Sequence, residues 1–370
     1  MDEDRVHIHR WLVPLSWLYG AGVTLRNTLF DMGVLSSQHY DIPIIDVGNL
    51  TVGGTGKTPH TEFLLHLLIP QYRVAVLSRG YRRKTRGYVL ATAESTVEDI
   101  GDEPWQMRQK FPNAYVAVDS NRRRGIERLC HDKATCDVEV ILLDDAYQHR
   151  YVQPGLNILL MDYHRLVTDD LLLPAGRLRE PKEGMARANI IVVTKCPLRM
   201  TPMDYGVVHR TLEPRPYQQL FFSTFRYGPM QKLFGKGQRL LSDIQPCESV
   251  VLLTAIARPQ QMLQDLQQYT SHITPLAFPD HHYFTPTDVS RINRTLAAMP
   301  SPRLIITTEK DATRLHSLQG LSPEVREAMY VLPVEVSIMR NEESIFNKKI
   351  IGYVRKNSRN SIVAKGQDEE

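Results

Sequence analysis

The sequence predicts an α/β protein: a P-loop NTPase-like, mostly parallel sheet flanked by helices, joined by a strand linker to a smaller C-terminal α/β domain. Three observations indicate this fold. Short apolar runs alternate with helix-like stretches along most of the chain. Several of these runs are apolar almost throughout, as parallel strands covered on both faces are. A glycine-rich turn that ends in Gly-Lys-Thr follows the first run, and this ending is typical of phosphate-binding loops.

Two series of predicted strands define the domains. The first series consists of residues 42–47, 73–77, 115–118, 138–143, 157–161 and 189–193. An exposed strand at 218–228 follows, which we expect to pair as a hairpin with residues near 232–234. The second series then consists of residues 250–254, 272–277, 303–307 and 330–336. We therefore expect an N-terminal helix segment at 1–36, a P-loop core at 37–215, a two-strand linker at 216–245, a C-terminal α/β domain at 246–353 and a disordered tail at 354–370.

Composition limits the function classes. With 370 residues the chain is long enough for two domains, and its hydrophobic fraction of 42% is ordinary for a globular protein. The formal net charge of +4 does not favour nucleic-acid binding. Basic residues cluster at 78–86 and 121–125, and such runs usually form a solvated face unless a phosphate ligand explains them. The four cysteines have no CxxC spacing, which favours reduced cytosolic thiols over a zinc site.

An uncharged segment near the N-terminus, residues 11–25, lies between Arg10 and Arg26. It is short for a membrane-spanning helix, which needs about 20 apolar residues. One interpretation is a buried first helix that begins near Pro14. The other is a membrane-interface helix, with its three aromatic side chains at the level of the lipid headgroups. The segment alone does not decide between them.

The stretch VGNLTVGGTGKTPH, residues 47–60, carries the nucleotide-site prediction. The usual motif has a glycine where this chain has Thr51, but the Gly53-Gly54 pair can supply the turn freedom. A predicted strand precedes the loop and a predicted helix follows it, with Pro59 tolerated in the first helical turn. Lys57 would contact the β- and γ-phosphates of a nucleotide, and the hydroxyl of Thr58 would hold Mg²⁺. The predicted nucleotide-binding residues are Thr51, Val52, Gly53, Gly54, Thr55, Gly56, Lys57 and Thr58.

A P-loop also needs an acidic partner for magnesium at the end of a neighbouring strand. A largely apolar run ends in Asp144-Asp145, and ligands bind outside the carboxyl ends of strands in open α/β sheets. A helix N-cap would explain one of these carboxylates but hardly both. We therefore expect Asp144, Asp145 or both to bind the metal; which of them does so directly stays open.

Seven sequence blocks occur in an order that resembles one family. They are VGNLTVGGTGKTP, SRGY (78–81), GDEP (101–104), LDDAYQHR (143–150), LLPAGRLREP (172–181), FPDHHYF (278–284) and TTEKDATRL (307–315). Together they resemble the tetraacyldisaccharide 4′-kinases, a P-loop kinase family of lipid A biosynthesis. The resemblance implies that ATP and Mg²⁺ are used to phosphorylate the 4′-hydroxyl of a tetraacylated glucosamine disaccharide 1-phosphate. It also implies a peripheral position at the cytoplasmic face of the bacterial inner membrane, with that lipid and membrane surface as partners and no nucleic acid.

The same resemblance implies roles for individual residues. The catalytic residues would be Asp102 as the base, His281 as its support and Lys57, although His282 beside His281 leaves that choice open. From the residues alone, Asp102 and its acidic neighbour indicate a helix N-terminus, and the two histidines indicate plain surface residues. The metal ligands would be Thr58, Asp144 and Asp145. The substrate-binding residues would be Arg79, Tyr81, Arg122, Gln148, His149, Arg179 and Glu180.

Two alternative functions remain. A P-loop switch or assembly ATPase would hydrolyse nucleotide without an acceptor. Thr194-Lys195 weakly resembles a guanine-recognition motif, but Cys196-Pro197 follows instead of an aspartate. A membrane-docked nucleotide-binding module would turn over nothing.

Overall fold

A computed structural model describes residues 8–256, 259–279, 282–316 and 318–358 of the chain. The chain divides into two compact units. The first is formed by Met1–Phe225 together with Val336–Glu370, and the second by Arg226–Glu335. The predicted α/β fold class is confirmed for both units, each of which is built on one sheet with helices.

The elements of the described residues are numbered along the chain. The strands are β1 (Ile44–Asn49), β2 (Val74–Ser78), β3 (Val89–Leu90), β4 (Tyr115–Val118), β5 (Val140–Asp144), β6 (Leu156–Asp162), β7 (Ile190–Thr194), β8 (Gln219–Tyr227), β9 (Met230–Lys232), β10 (Gln238–Arg239), β11 (Ser249–Thr254), β12 (Ile273–Ala277), β13 (Arg303–Thr308), β14 (Met329–Leu332) and β15 (Val334–Ile338). The α-helices are α1 (Val13–Asp31), α2 (Lys57–Leu68), α3 (Val97–Ile100), α4 (Asp102–Lys110), α5 (Arg122–His131), α6 (Pro202–Leu212), α7 (Gln260–Leu266), α8 (Pro286–Ala297), α9 (Glu309–Leu315), α10 (Pro323–Ala328) and α11 (Glu343–Asn357).

The first unit contains a nine-stranded sheet in the order β15-β8-β7-β6-β1-β5-β2-β4-β3. Strands β1, β2 and β4 to β8 run parallel, and β3 pairs antiparallel with β4. The first series of predicted strands is confirmed with ends that differ by at most two residues. Strand β1 lies between β5 and β6, and Val47 of β1 is opposite Asp144 of β5. The loops after β1 and β5 therefore meet at one edge of the sheet.

The second unit contains a six-stranded sheet in the order β10-β9-β14-β13-β11-β12. Strands β11 to β14 are parallel, whereas β9 is antiparallel to both β14 and β10. One face of the sheet packs on α8, α9 and α10 through buried aliphatic side chains such as Leu253, Ile292 and Leu315. The predicted second α/β series is confirmed, but Pro333 divides the single strand expected at 330–336 into β14 and β15.

Three predictions about the region after residue 215 are wrong. The strand expected to be exposed is β8; it pairs with β7 inside the first sheet, and Phe221 and Phe222 are buried there. It also forms no hairpin with the following strand, because β9 belongs to the second sheet. The expected domain at 246–353 ends too late, since Val336–Glu370 returns to the first unit.

The predicted tail at 354–370 also begins too early. Helix α11 continues to Asn357, and its Val354 is buried with Phe346 and Ile350 in the core beneath the first sheet. The spacing of these three residues puts them on one helical face, which the polar composition of the segment obscured. Residues 359–370 lie outside the described residues.

Helix α1 is not the buried helix that one interpretation of residues 11–25 predicted. Its buried residues are Ser16, Gly20 and Phe30, whereas the side chains of Trp17 and Leu18 are each 72% exposed. The polar side attaches the helix to the first unit: the Ser16 hydroxyl donates to the carbonyl of Leu172 at 3.0 Å. Among the described residues, no helix is both long and apolar enough to cross a membrane.

Candidate active site

The phosphate loop joins β1 to α2, as the sequence predicted. Gly53 and Gly56 have φ angles of 116° and 85°, a region that glycine occupies without the steric cost of a Cβ atom. At Gly56 an added Cβ would also lie 2.6 Å from Cζ of Phe225. All the predicted nucleotide-binding residues, 51–58, therefore share one strand–loop–helix turn.

The altered front end of this loop is held by a neighbouring segment. Thr51, at the position where the usual motif has glycine, is buried and forms an antiparallel bridge with Leu178. The amide of Val52 donates to the carbonyl of Arg177 at 2.8 Å. These backbone bonds fix an extended entry to the loop, which a residue with a side chain can adopt.

Two carboxylates face this loop from the end of β5. Asp144 is the last residue of β5, and Asp145 follows with a φ angle of 52°. One carboxylate oxygen of Asp145 lies 3.6 Å from Nζ of Lys57 and 3.0 Å from Nη1 of Arg179. Ser78, at the end of β2, donates its hydroxyl to Oδ2 of Asp144 at 3.1 Å. The structure thus brings the lysine of the phosphate loop and the acidic pair together.

The two carboxyl groups differ in their electrostatic surroundings. Burial works to raise the pKa of Asp145, but the charges of Lys57 and Arg179 outweigh it and the pKa is lowered. Burial, followed by the charge of Glu103, raises the pKa of Asp144 to about 7. The Oδ1 atom of Asp144 is buried and accepts no hydrogen bond from the described part of the chain. The carboxylate of Asp145 is thus already paired with two cationic side chains, whereas Asp144 has an oxygen available for a cation.

Asp102 and Glu103 lie in the first turn of α4, after Gly101 with its φ angle of 92°. This is the helix N-terminus that their residue types alone indicated, where acidic side chains are favoured by the helix dipole. The charge of Glu103 contributes to the raised pKa of Asp144, so Glu103 lies near the acidic pair. The family role expected of Asp102 stays a prediction, now with a location at the edge of the site.

Arg122, expected to contact substrate, is buried beneath the acidic pair. It is the first residue of α5 and donates through Nη1 to the carbonyl of Asp119 at 2.5 Å and through Nη2 to the carbonyl of Asp144 at 3.1 Å. Burial lowers its pKa, and the nearby carboxylate of Asp144 works in the opposite direction. These contacts place its charge behind the acidic pair and support the backbone that carries it.

The remaining residues of the LDDAYQHR and LREP blocks form a polar network around Asp145. Nη1 of Arg179 also donates to Oε1 of Gln148 at 3.2 Å, and Nε2 of Gln148 donates to the carbonyl of Asn49 at 2.6 Å. Glu180 is buried and accepts from Arg187 at 2.8 Å. The network therefore links the end of β1 to the carboxylate that faces Lys57.

His149 lies in the same block, and its Nε2 atom is buried without a hydrogen-bond partner in the described residues. Burial, followed by the charge of Arg122, lowers its pKa to about 4. Its imidazole is therefore neutral at ordinary pH.

The other expected site residues are not part of this polar network. Arg79 and Tyr81 are exposed on the loop after β2, and the Tyr81 side chain is 62% exposed. His281 lies outside the described residues. His282, in the second unit, contacts Oδ2 of Asp288 through Nε2 at 2.9 Å and stacks on Phe278.

Several residues near the site were not predicted from the sequence. Asp46, inside β1, is buried, and its Oδ1 accepts from the amide of Ala146 at 3.3 Å. Burial, followed by the charge of Asp145, raises the pKa of Asp46 to about 8. Nothing in an apolar strand pattern indicates that Asp46 lies beside the acidic pair. Thr194 ends β7 and Lys195 follows it at the same edge of the sheet. That position could have indicated their contact with the phosphate loop.

Comparisons with known proteins agree with this arrangement. A family model described as tetraacyldisaccharide-1-P 4′-kinase matches residues 8–353. The chain is 52% identical over 363 residues to the tetraacyldisaccharide 4′-kinase of Phocaeicola vulgatus, covering 98% of this chain and 99% of that protein. It is also 52% identical over 373 residues to the Bacteroides fragilis enzyme of the same name, covering 100% and 99%.

A solved structure is similar along nearly the whole chain. The crystal structure of LpxK from Aquifex aeolicus in complex with ATP superposes with a TM-score of 0.71 at 28% sequence identity, covering 93% of this chain and 98% of that one. Together with the family match, this similarity along the full length of the sequence means that the chain belongs to the tetraacyldisaccharide 4′-kinase family.

Proposed function

We propose that the protein transfers the γ-phosphoryl group of ATP to the 4′-hydroxyl of a tetraacylated glucosamine disaccharide 1-phosphate, the kinase step of its family in lipid A biosynthesis. The observation that carries this proposal is the meeting of Lys57, in a phosphate loop, with the acidic pair Asp144-Asp145 at the carboxyl edge of the sheet. In the transfer, the hydroxyl oxygen bonds to the γ-phosphorus, the bond from that phosphorus to the β,γ-bridging oxygen breaks, and ADP leaves.

ATP would lie with its phosphates on the loop of residues 51–58. The N-terminus of α2 would supply N–H donors to the phosphate oxygens. Lys57, held 3.6 Å from Asp145, supplies a positive charge for the β- and γ-phosphates. The complex of Aquifex aeolicus LpxK with ATP supports this choice of nucleotide.

The side chains present fit a magnesium ion. Mg²⁺ prefers oxygen ligands and binds phosphates through one or two carboxylates. The buried, unpartnered Oδ1 of Asp144 is such an oxygen, and Thr58, in the first turn of α2, carries the hydroxyl that P-loop proteins use. Within the described residues no group of three or more His, Cys, Asp or Glu side chains is placed to hold a metal without a nucleotide. When bound, the ion would neutralise charge on the phosphates.

Asp102 would accept the proton of the 4′-hydroxyl. A carboxylate within hydrogen-bond reach of a hydroxyl assists its attack by removing the proton. Asp102 begins α4, and the charge of Glu103 beside it acts on Asp144, which supports a position of this helix end near the phosphates. Phosphoryl transfer depends mostly on positioning and charge stabilisation, so the placement of this helix is as important as the basicity of its first residue.

The acceptor would bind at the exposed surface beside the acidic pair. Arg79 and Tyr81 lie on the loop after β2, whose last residue, Ser78, donates to Asp144. An exposed guanidinium and a phenol suit a phosphorylated sugar, because they supply charged and neutral hydrogen-bond donors. Arg179 and Gln148 would hold Asp145 in place instead of contacting the sugar.

Helix α1 would lie on the cytoplasmic face of the bacterial inner membrane, where an acylated acceptor is concentrated. Its exposed apolar side chains include Trp17 and Leu18, and the exposed Trp11 lies just before it. Such a face on a helix too short to span the bilayer is typical of interfacial binding. The helix also contacts the site, because the Tyr19 hydroxyl donates to the carbonyl of Arg179 at 2.9 Å.

Nucleotide turnover with and without the lipid acceptor tests the proposal. Purified protein should convert ATP to ADP quickly only when a tetraacyldisaccharide 1-phosphate is present in mixed micelles. Turnover at the same rate without acceptor would instead support a switch or assembly ATPase. ATP binding with no turnover under either condition would support a nucleotide-binding module.

A further inference from the structure

We propose that His60, Thr194 and Lys195 are positioning residues that hold the phosphate loop, from outside, in the shape that receives the phosphates of ATP. The inference rests on the proposed function, because it takes ATP to be the ligand of this loop. None of the three is among the predicted nucleotide-binding residues, 51–58.

The observation is that three consecutive carbonyl groups of the loop each accept a hydrogen bond from a side chain. The ammonium of Lys195 donates to the carbonyl of Gly54. The hydroxyl of Thr194 lies 2.9 Å from the carbonyl of Thr55. Nδ1 of His60 lies 2.7 Å from the carbonyl of Gly56. The donors come from the end of β7 and from the first turn of α2.

The direction of these bonds matters for phosphate binding. A phosphate loop binds its ligand by turning successive N–H groups inward, so the carbonyl groups of the same peptides point outward. A buried carbonyl without a donor costs free energy, and a glycine-rich loop has many other conformations available. Donors fixed on the sheet and on α2 bond to these carbonyls and so favour the conformation that the structure shows. The loop therefore loses less conformational freedom when the nucleotide binds.

The hydrogen bonds of His60 define one protonation state. A carbonyl oxygen only accepts, so Nδ1 must carry the proton, and Nε2 then accepts from the hydroxyl of Ser223 at 2.9 Å. The side chain thus connects Gly56 to β8 through a single tautomer.

Lys195 offers a way to separate this role from simple stabilisation. Its Nζ atom also pairs with Oδ2 of Asp162 at 2.7 Å, at the end of β6. If the ion pair only stabilised the fold, loss of either partner would have similar effects. If Lys195 positions the loop, loss of the lysine weakens nucleotide binding much more than loss of Asp162, because the bond to Gly54 survives in the second case.

Titration calorimetry with Mg²⁺-ATP on the full chain tests the inference. Lys195→Met should raise the Kd for ATP about tenfold and Asp162→Asn by less than about threefold, as expected for loss and retention of a charge-assisted hydrogen bond. Thr194→Val, which keeps the shape and removes the donor, should raise the Kd about three- to tenfold, and Thr194→Ser should restore it. If Lys195→Met fails to fold, the comparison of Thr194→Val with Thr194→Ser still tests the inference.

Other outcomes contradict the inference in distinguishable ways. An unchanged Kd in Thr194→Val or Lys195→Met with a lowered melting temperature would assign these residues a structural role only. Equal effects of Lys195→Met and Asp162→Asn would assign the effect to the ion pair. Absence of ATP binding in the wild-type protein would overturn the proposed function itself, and with it this inference.

Discussion

Replacing Gly56 with alanine should destabilise the first unit by about 1–4.5 kcal/mol. The residue has a φ angle of 85°, and a left-handed conformation costs a residue with a Cβ about 1–2 kcal/mol. The new Cβ would lie 2.6 Å from Cζ of Phe225, and overpacking of this kind costs about 1–3 kcal/mol. Alanine also lowers the conformational entropy of the unfolded chain, which offsets about 0.4–1 kcal/mol of this destabilisation.

Urea denaturation followed by tryptophan fluorescence measures this loss in the correct unit, because all three tryptophans, Trp11, Trp17 and Trp105, belong to the first unit. Gly54→Ala is the matched control: its added Cβ has no other atom within 4 Å, so its free energy of unfolding should change by no more than about 0.5 kcal/mol. Similar midpoints for Gly56→Ala and Gly54→Ala would refute the reasoning from loop geometry.

Three further predictions concern the base, the membrane helix and pH. Asp102→Asn should lower kcat about 10²–10⁴-fold with little change in ATP affinity, as measured by initial rates and calorimetry; a variant that keeps most of its rate would move the role of base to another group, with Glu103 tested first. Trp17→Ser combined with Leu18→Ser should abolish co-sedimentation with phosphatidylglycerol vesicles, because both exposed side chains are lost; equal sedimentation of wild type and variant would remove α1 from membrane binding. Burial lowers the pKa of His60 from its ordinary value of 6.5 to about 4 in the folded chain. Between these two pH values the unfolded chain binds a proton that the folded chain does not, so the stability that this residue contributes is present above pH 6.5 and is lost as the pH falls toward 4. The urea midpoint should therefore fall less between pH 7 and 5 in His60→Gln than in wild type, and an identical fall would contradict this.

The strands of the two sheets were predictable because of how they are buried. Parallel strands covered on both faces have nearly continuous apolar sequences, and β2, β4 and β7 have this pattern. Strand β8 was misinterpreted because its ends carry polar residues, although four residues in its centre are buried. Its partner, β7, is set by a long-range pairing that local sequence does not encode.

The unit boundaries were less predictable for a related reason. Helix α11 follows the second unit in sequence, but its Phe346 and Ile350 pack in the core of the first. An amphipathic pattern shows that a helix has one buried face and does not show which sheet covers that face. Chain order therefore placed α11 in the wrong domain.

The phosphate loop and the acidic pair were predictable from their motifs, whereas their supports were not. The glycines and Lys57 have fixed spacing, and Asp144 ends an apolar run. The contacts of Lys195 with Gly54 and of Arg122 with the carbonyl of Asp144 join residues far apart in the chain. Sequence position gives such contacts no signal, because they depend on which strands become neighbours.

Transfer of radiolabel from γ-labelled ATP to a tetraacyldisaccharide 1-phosphate by purified protein tests the central claim most directly. We expect the wild type to produce labelled lipid with the new phosphate on the 4′-oxygen. Lys57→Ala should reduce the rate at least about 100-fold, since a charge that stabilises the transferring phosphoryl group is removed. The circular dichroism spectrum of this variant should stay unchanged, because Arg179 still pairs with Asp145. Unlabelled lipid from the wild type, or a Lys57→Ala rate close to the wild-type rate, would contradict the account.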